Sequence, residues 1–125
     1  MVLLDKIQAN FIGSDTLVAE YKKLLEIMAK IEELACENSS KSSLLIAFNE
    51  LNTCAEKLFV IEEKSLALAD SRLFKLHTKA HRRLLSQLAM HTEDFKDAQG
   101  SKIDQIFFDF LENWIDDHII SIDLR

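Results

Sequence analysis

Two histidines stand four residues apart in the stretch FKLHTKAHRRLL, at His77 and His81. Four residues is a little over one turn of α-helix, so both imidazoles leave the same face with their roots about 6 Å apart. The pair suits one metal ion, but it equally suits a phosphorylated histidine or two ordinary helix residues. What decides between these is the company it keeps. Tyr21, Glu62, His118 and Asp123 also fall on stripes of otherwise apolar residues. A carboxylate directed into a core costs several kcal/mol unless it is paired, hydrogen-bonded or bound to a cation. A lone histidine on such a stripe is more often an edge residue with its polar tip in water. Two acids and three imidazoles aimed at one interior instead point to a cation. Imidazole nitrogens and carboxylate oxygens suit iron, manganese or zinc, and no thiolate lies near enough in the pattern to make a structural zinc finger.

These residues need helices to bring them together, and the spacing of apolar positions predicts four. Leu17, Tyr21, Leu24, Met28, Ile31 and Ala35 form a first stripe of period near 3.6, entered from Gly13-Ser14-Asp15 with a serine or aspartate to cap it. The polar break ENSSKSS reads as a short loop. Beyond it Leu44, Phe48, Leu51, Ala55, Leu58, Glu62, Ser65 and Ala69 form the second stripe. Phe74, His77, His81, Leu84 and Leu88 form the third after Asp70-Ser71, with Gly100 available for a left-handed turn at its far end. Ser101 and Asp104 have capping-box spacing and open a fourth stripe of Ile103, Phe107, Phe110/Leu111, Trp114 and His118. Alternating steps of three and four with short connections predict an all-α, up-down-up-down antiparallel four-helix bundle spanning residues 1–125 as one domain.

Composition is consistent with that architecture. A chain of 125 residues with 48% hydrophobic and 29% charged residues, two glycines and no proline favours long uninterrupted helices around a real core. The formal charge of −6, with cations spread singly among acids, lacks the basic stripe that nucleic acid requires. No apolar run reaches membrane-spanning length, and the opening MVLLDKIQANF is interrupted too early by Asp5 and Lys6 to be a secretory signal. The expected location is the cytoplasm, with Cys36 and Cys54 both reduced. Cys54 reads as a small buried hydrophobe, His91 as a solvent-side residue near a helix C-terminus, and Asp116 and Asp117 as solvated acids.

The segments FVIEEKSL, HTKAHRRL and above all FLENWIDDHIISID resemble the hemerythrins and bacteriohemerythrins, which are non-heme di-iron four-helix bundles. Phe110, Leu111, Trp114, Ile115, His118, Ile119 and Asp123 match the family's last-helix signature. AEKLFVIEEKSL is similar to its second helix and IGSDTLVAEYKKL to its first, so the resemblance covers nearly the whole chain. It implies that His77, His81 and His118 hold one iron and that Glu62 and Asp123 bridge to a second. Two further histidines of the family correspond to Tyr21 and Leu58 here, and Arg72 stands where the family's inter-helix turn carries a proline.

The rewritten half of the site is the one that binds dioxygen in the family, so reversible oxygen carriage does not transfer directly. Tyr21 either ligates a second ion as phenolate or hydrogen-bonds a carboxylate while Leu58 fills the vacated volume. The leading expectation is a protein that binds one or two iron ions and carries or senses a small diatomic ligand; no dedicated acid, base or substrate pocket marks it as an enzyme. Two other classes compete: a metal-free helical interaction module, and a histidine phosphotransfer domain. The latter needs an exposed histidine beside a small residue, whereas His77 is followed one turn later by His81, and His81 by Leu85.

Overall fold

The computed structural model describes residues 15–69, 71–100 and 102–117. These form four helices and, among the described residues, no strand: α1 (Asp15–Cys36), α2 (Lys41–Ala69), α3 (Ser71–Asp97) and α4 (Gln105–Asp117). None of the described helices is long and apolar enough to cross a membrane.

Local chemistry sets the helix ends. Asn38 takes a left-handed conformation (φ 55°) just past α1, where the Ser39 amide donates to the Leu34 carbonyl at 3.0 Å and the Asn38 amide to Ala35 at 3.3 Å. That pair of bonds satisfies carbonyls that the helix end would otherwise orphan. Ser40 then caps α2, its Oγ accepting from the Ser43 amide at 3.2 Å. Gly100 supplies the expected left-handed turn beyond α3 (φ 83°), and a Cβ there would meet nothing within 4 Å, so the demand for glycine is conformational. The expected capping box at Ser101 and Asp104 falls only in part on the described residues. Asp104 itself is the cap, accepting the Ile106 amide on Oδ1 at 3.2 Å, while Ser101 lies outside the described residues.

The core centres on α2, which packs against α1 and α3 along its length and meets α4 through aromatic rings. Leu44, Phe48, Leu51, Ala55, Leu58 and Glu62 of the second stripe are all buried, and so are Ala47, Cys54 and Phe59 beside it. A helix with neighbours on several sides must bury more than one narrow stripe. Tyr21, Leu24 and Ile31 from α1, Leu88 and Phe95 from α3, and Phe107, Leu111 and Trp114 from α4 complete the interior. Polar ties fix the register of α2 on α3. Asn52 Nδ2 donates to Thr92 Oγ1 at 3.0 Å and back to the Phe48 carbonyl at 2.9 Å. Lys41, the first residue of α2, reaches the Ala98 carbonyl just past the far end of α3. Partners pair in opposite numerical order, Lys41 with Ala98, Asn52 with Thr92 and Glu62 with His81. The same reversal joins α1 to α2, where Tyr21 meets Glu62 and Lys30 meets Glu50.

Candidate metal centre

Glu62 follows Leu51, Ala55 and Leu58 on the inward side of α2 and is only 3% exposed, because the helical period carries the apolar face through its position. His77 and His81, one turn apart on α3, are each 1% exposed. Their rings stand nearly perpendicular with centroids 5.4 Å apart. One ligand atom from each of Glu62, His77 and His81 lies within 4.8 Å of the others.

Both oxygens of Glu62 are engaged. The Tyr21 hydroxyl, fully buried on α1, donates to Oε1 at 2.6 Å, and His81 Nε2 stands 3.0 Å from Oε2. The other His81 nitrogen, Nδ1, faces Glu63 Oε2 at 3.0 Å. Glu63 is in turn held by Thr78, whose Oγ1 donates to Oε1 at 3.1 Å. The Phe59 ring lies flat on the His81 imidazole, centroids 3.9 Å apart at 6°, and Trp114 presses edge-on against Phe59. Apolar rings therefore wall one face of the imidazole and limit its access to water.

This geometry has a simple chemical consequence. Neutral imidazole carries one N–H, yet each nitrogen of His81 faces a carboxylate oxygen at 3.0 Å. With Nδ1–H pointing at Glu63, Nε2 and Glu62 Oε2 meet either through a proton that they share or through a cation between them, and the donor set suits a cation. Ligand atoms bonded to iron, manganese or zinc at about 2.0–2.2 Å stand roughly 3–4 Å from one another. The Glu62 and His81 ligand atoms, 3.0 Å apart, already stand at that spacing.

Of the residues expected to ligate, Tyr21, Glu62, His77 and His81 are brought together; His118 and Asp123 lie outside the described residues, as do the side chains of Phe74, Asp116 and Asp117. Tyr21 meets the centre as a hydrogen-bond donor to Glu62, and the fully buried Leu58 contributes volume without a ligand atom. His91 departs from its expected place in solvent. It is half-buried and packs on Phe107 and Phe110 of α4, with centroids 5.6 and 4.7 Å away. Cys54 is buried, and loss of hydration, reinforced by the nearby Glu20 charge and opposed by Lys23 and Lys57, pushes its thiol above the ordinary value of 9.0. A thiol held protonated in this way is a poor metal ligand.

Sequence reasoning passed over Glu63, Thr78, Phe59 and Glu20. Glu63 and Thr78 each adjoin a candidate ligand in the chain, which was the available signal. Glu20, next to Tyr21, is buried and held by Lys23 at 3.2 Å and Lys57 at 3.5 Å. No family model, curated protein or solved structure matches the chain.

Proposed function

We propose that this protein is a hemerythrin-like, non-heme metal-binding four-helix bundle whose centre holds one ion, iron foremost, for binding or sensing a small diatomic ligand. The helices run up-down-up-down, a reading supported by the reversed pairing of residues between α1 and α2 and between α2 and α3. The observation that carries the metal assignment is the convergence of a buried carboxylate and two buried imidazoles, their ligand atoms within 4.8 Å. His118 and Asp123 complete the proposed ligand set.

The protein's own groups have distinct tasks. Glu62 neutralises part of the cation's charge, His77 and His81 supply nitrogen donors, and the Phe59 ring keeps water off the His81 face. A bound iron would supply redox chemistry at this centre. Tyr21 occupies Oε1 of Glu62, the oxygen that His81 leaves and that a second ion would need, and Leu58 offers no ligand atom; this favours one ion over two. Binding or sensing is proposed in preference to turnover. The burial of both histidines weighs against phosphotransfer, which requires an imidazole presented to a partner.

Iron(II) added anaerobically to metal-free protein is expected to bind at about one ion per chain and raise the melting temperature, since a ligand selective for the native state stabilises it by mass action. Metal analysis and calorimetry measure both. Unchanged melting together with iron-free protein after expression would remove the metal-binding reading and leave a metal-free helical module. A visible phenolate-to-iron band that vanishes in Tyr21→Phe would replace the one-ion centre with a two-ion one.

A further inference from the structure

Resting on the proposed centre, a second layer of structure can be assigned around it. We infer that Glu63, clamped by Thr78, is the positioning residue that fixes the ring orientation and tautomer of His81 and thereby sets how tightly the centre holds its ion. The geometry is a relay across the α2/α3 interface. Thr78 Oγ1 donates to Glu63 Oε1 at 3.1 Å, leaving Oε2 aimed at His81 Nδ1 at 3.0 Å. The opposite nitrogen, Nε2, then faces Glu62 Oε2. With the ion taking the lone pair of Nε2, the hydrogen lies on Nδ1, where Glu63, which accepts but does not donate, holds it. Glu63 also makes that lone pair more basic.

The stacking of Phe59 on His81 restricts tilting of the ring plane, while a half-turn about the Cβ–Cγ bond would restore the stack with a carbon in place of each nitrogen. Glu63 opposes that rotation by binding one nitrogen. Its side chain is 25% exposed against 3% for Glu62, so it sits at the rim of the cluster, where a carboxylate costs less to hold and need not ligate. The two adjacent acids of α2 therefore do different work: Glu62 faces the ion, and Glu63 holds the ligand.

The test is a cobalt(II) titration of metal-free full chain, followed by its visible absorption, with Glu63→Ala, Glu63→Gln and Thr78→Val. Glu63→Ala should weaken cobalt(II) binding about 10- to 100-fold, the usual range for loss of such a partner. Glu63→Gln should recover part of that loss, because its amide oxygen still accepts from Nδ1–H without the charge, and Thr78→Val should show the smallest change. NMR of the zinc(II)-loaded protein reads the tautomer directly: a solvent-protected His81 Nδ1–H is expected in the wild type and lost in Glu63→Ala. Equal cobalt(II) affinity in wild type and Glu63→Ala, or an Nδ1–H that stays protected in the variant, overturns the positioning role while leaving the centre itself intact. Wild-type protein that binds no cobalt(II) overturns the centre and the relay with it. Should Glu63→Ala fail to fold, Glu63→Gln carries the same comparison, with reduced affinity expected and unchanged affinity fatal to the inference.

Discussion

The two ends of α2 carry different kinds of interior. Around Phe48 the core is aromatic: Phe95 stacks on it at 5.1 Å, Phe107 tilts against it at 4.7 Å, and Lys41 lies 5.3 Å above Phe95. Around Glu62, fourteen residues or about 21 Å further along the helix, the buried groups include a tyrosine, two histidines and a carboxylate. The aromatic end gains free energy chiefly from apolar burial. The polar end must offset the lost hydration of its groups, and its own hydrogen bonds do so only in part. A bundle that needed only to fold would gain by repeating the first end at the second, since buried ionic groups can often be replaced by apolar ones at no loss of stability. Apolar packing and buried polar groups thus occupy opposite ends of one helix.

Phe48→Ala would test that separation with the largest effect. Removing a fully packed ring at the junction of α2, α3 and α4 should destabilise the metal-free protein by about 3–5 kcal/mol in urea unfolding. Iron(II) should nevertheless raise the melting temperature of the folded variant by about as much as it does in the wild type, because the ligands lie elsewhere. A variant that keeps its stability but loses the metal response would show that the two ends are coupled.

Tyr21→Phe acts at the polar end and should cost less. It deletes a buried hydroxyl donating at 2.6 Å to Glu62, a hydrogen bond to a charged group worth about 1.5–3 kcal/mol. The loss should show in urea unfolding of the metal-free protein and shrink once metal is present, as the ion compensates the carboxylate. If metal-free stability is unaffected, Glu62 has found another donor and the division between the two ends is less sharp than drawn.

How much of this was legible beforehand follows from which interactions have a period. Leu44, Phe48, Leu51, Ala55, Leu58 and Glu62 recur at three and four, so their common burial could be read from the chain alone. The same period placed His77 and His81 on the inward face of α3. Glu63 could not be found in this way, for its importance depends on Thr78 and His81 arriving from another helix at one particular register. His91 failed for a related reason: α4 crosses it with Phe107 and Phe110, and nothing local to EDFKDAQG announces that neighbour. Periodicity reports which side of a helix is inward; the partners there are set by packing.

Cys54 offers the smallest and most specific probe of the wall between the two ends. It is buried on α2 between Phe48 and Glu62, and its Sγ lies 4.0 Å from the Glu20 carbonyl. Desolvation, with help from the Glu20 charge, raises its pKa in the folded chain, whereas the unfolded chain titrates near the ordinary 9.0. The folded state thus holds the proton more tightly. Its stabilising contribution is complete below the unfolded value and is lost as pH rises through the folded one. Wild-type protein should accordingly lose stability relative to Cys54→Ala as urea midpoints are followed upward from neutrality past that value. Any cavity left by the substitution shifts the comparison by an amount that does not vary with pH. Cys36 is exposed, and iodoacetamide should modify it well before Cys54. Parallel curves for wild type and Cys54→Ala, or early alkylation of Cys54, would mean that the α1/α2 seam opens readily, and that the interior joining the two ends is wetter than its packing implies.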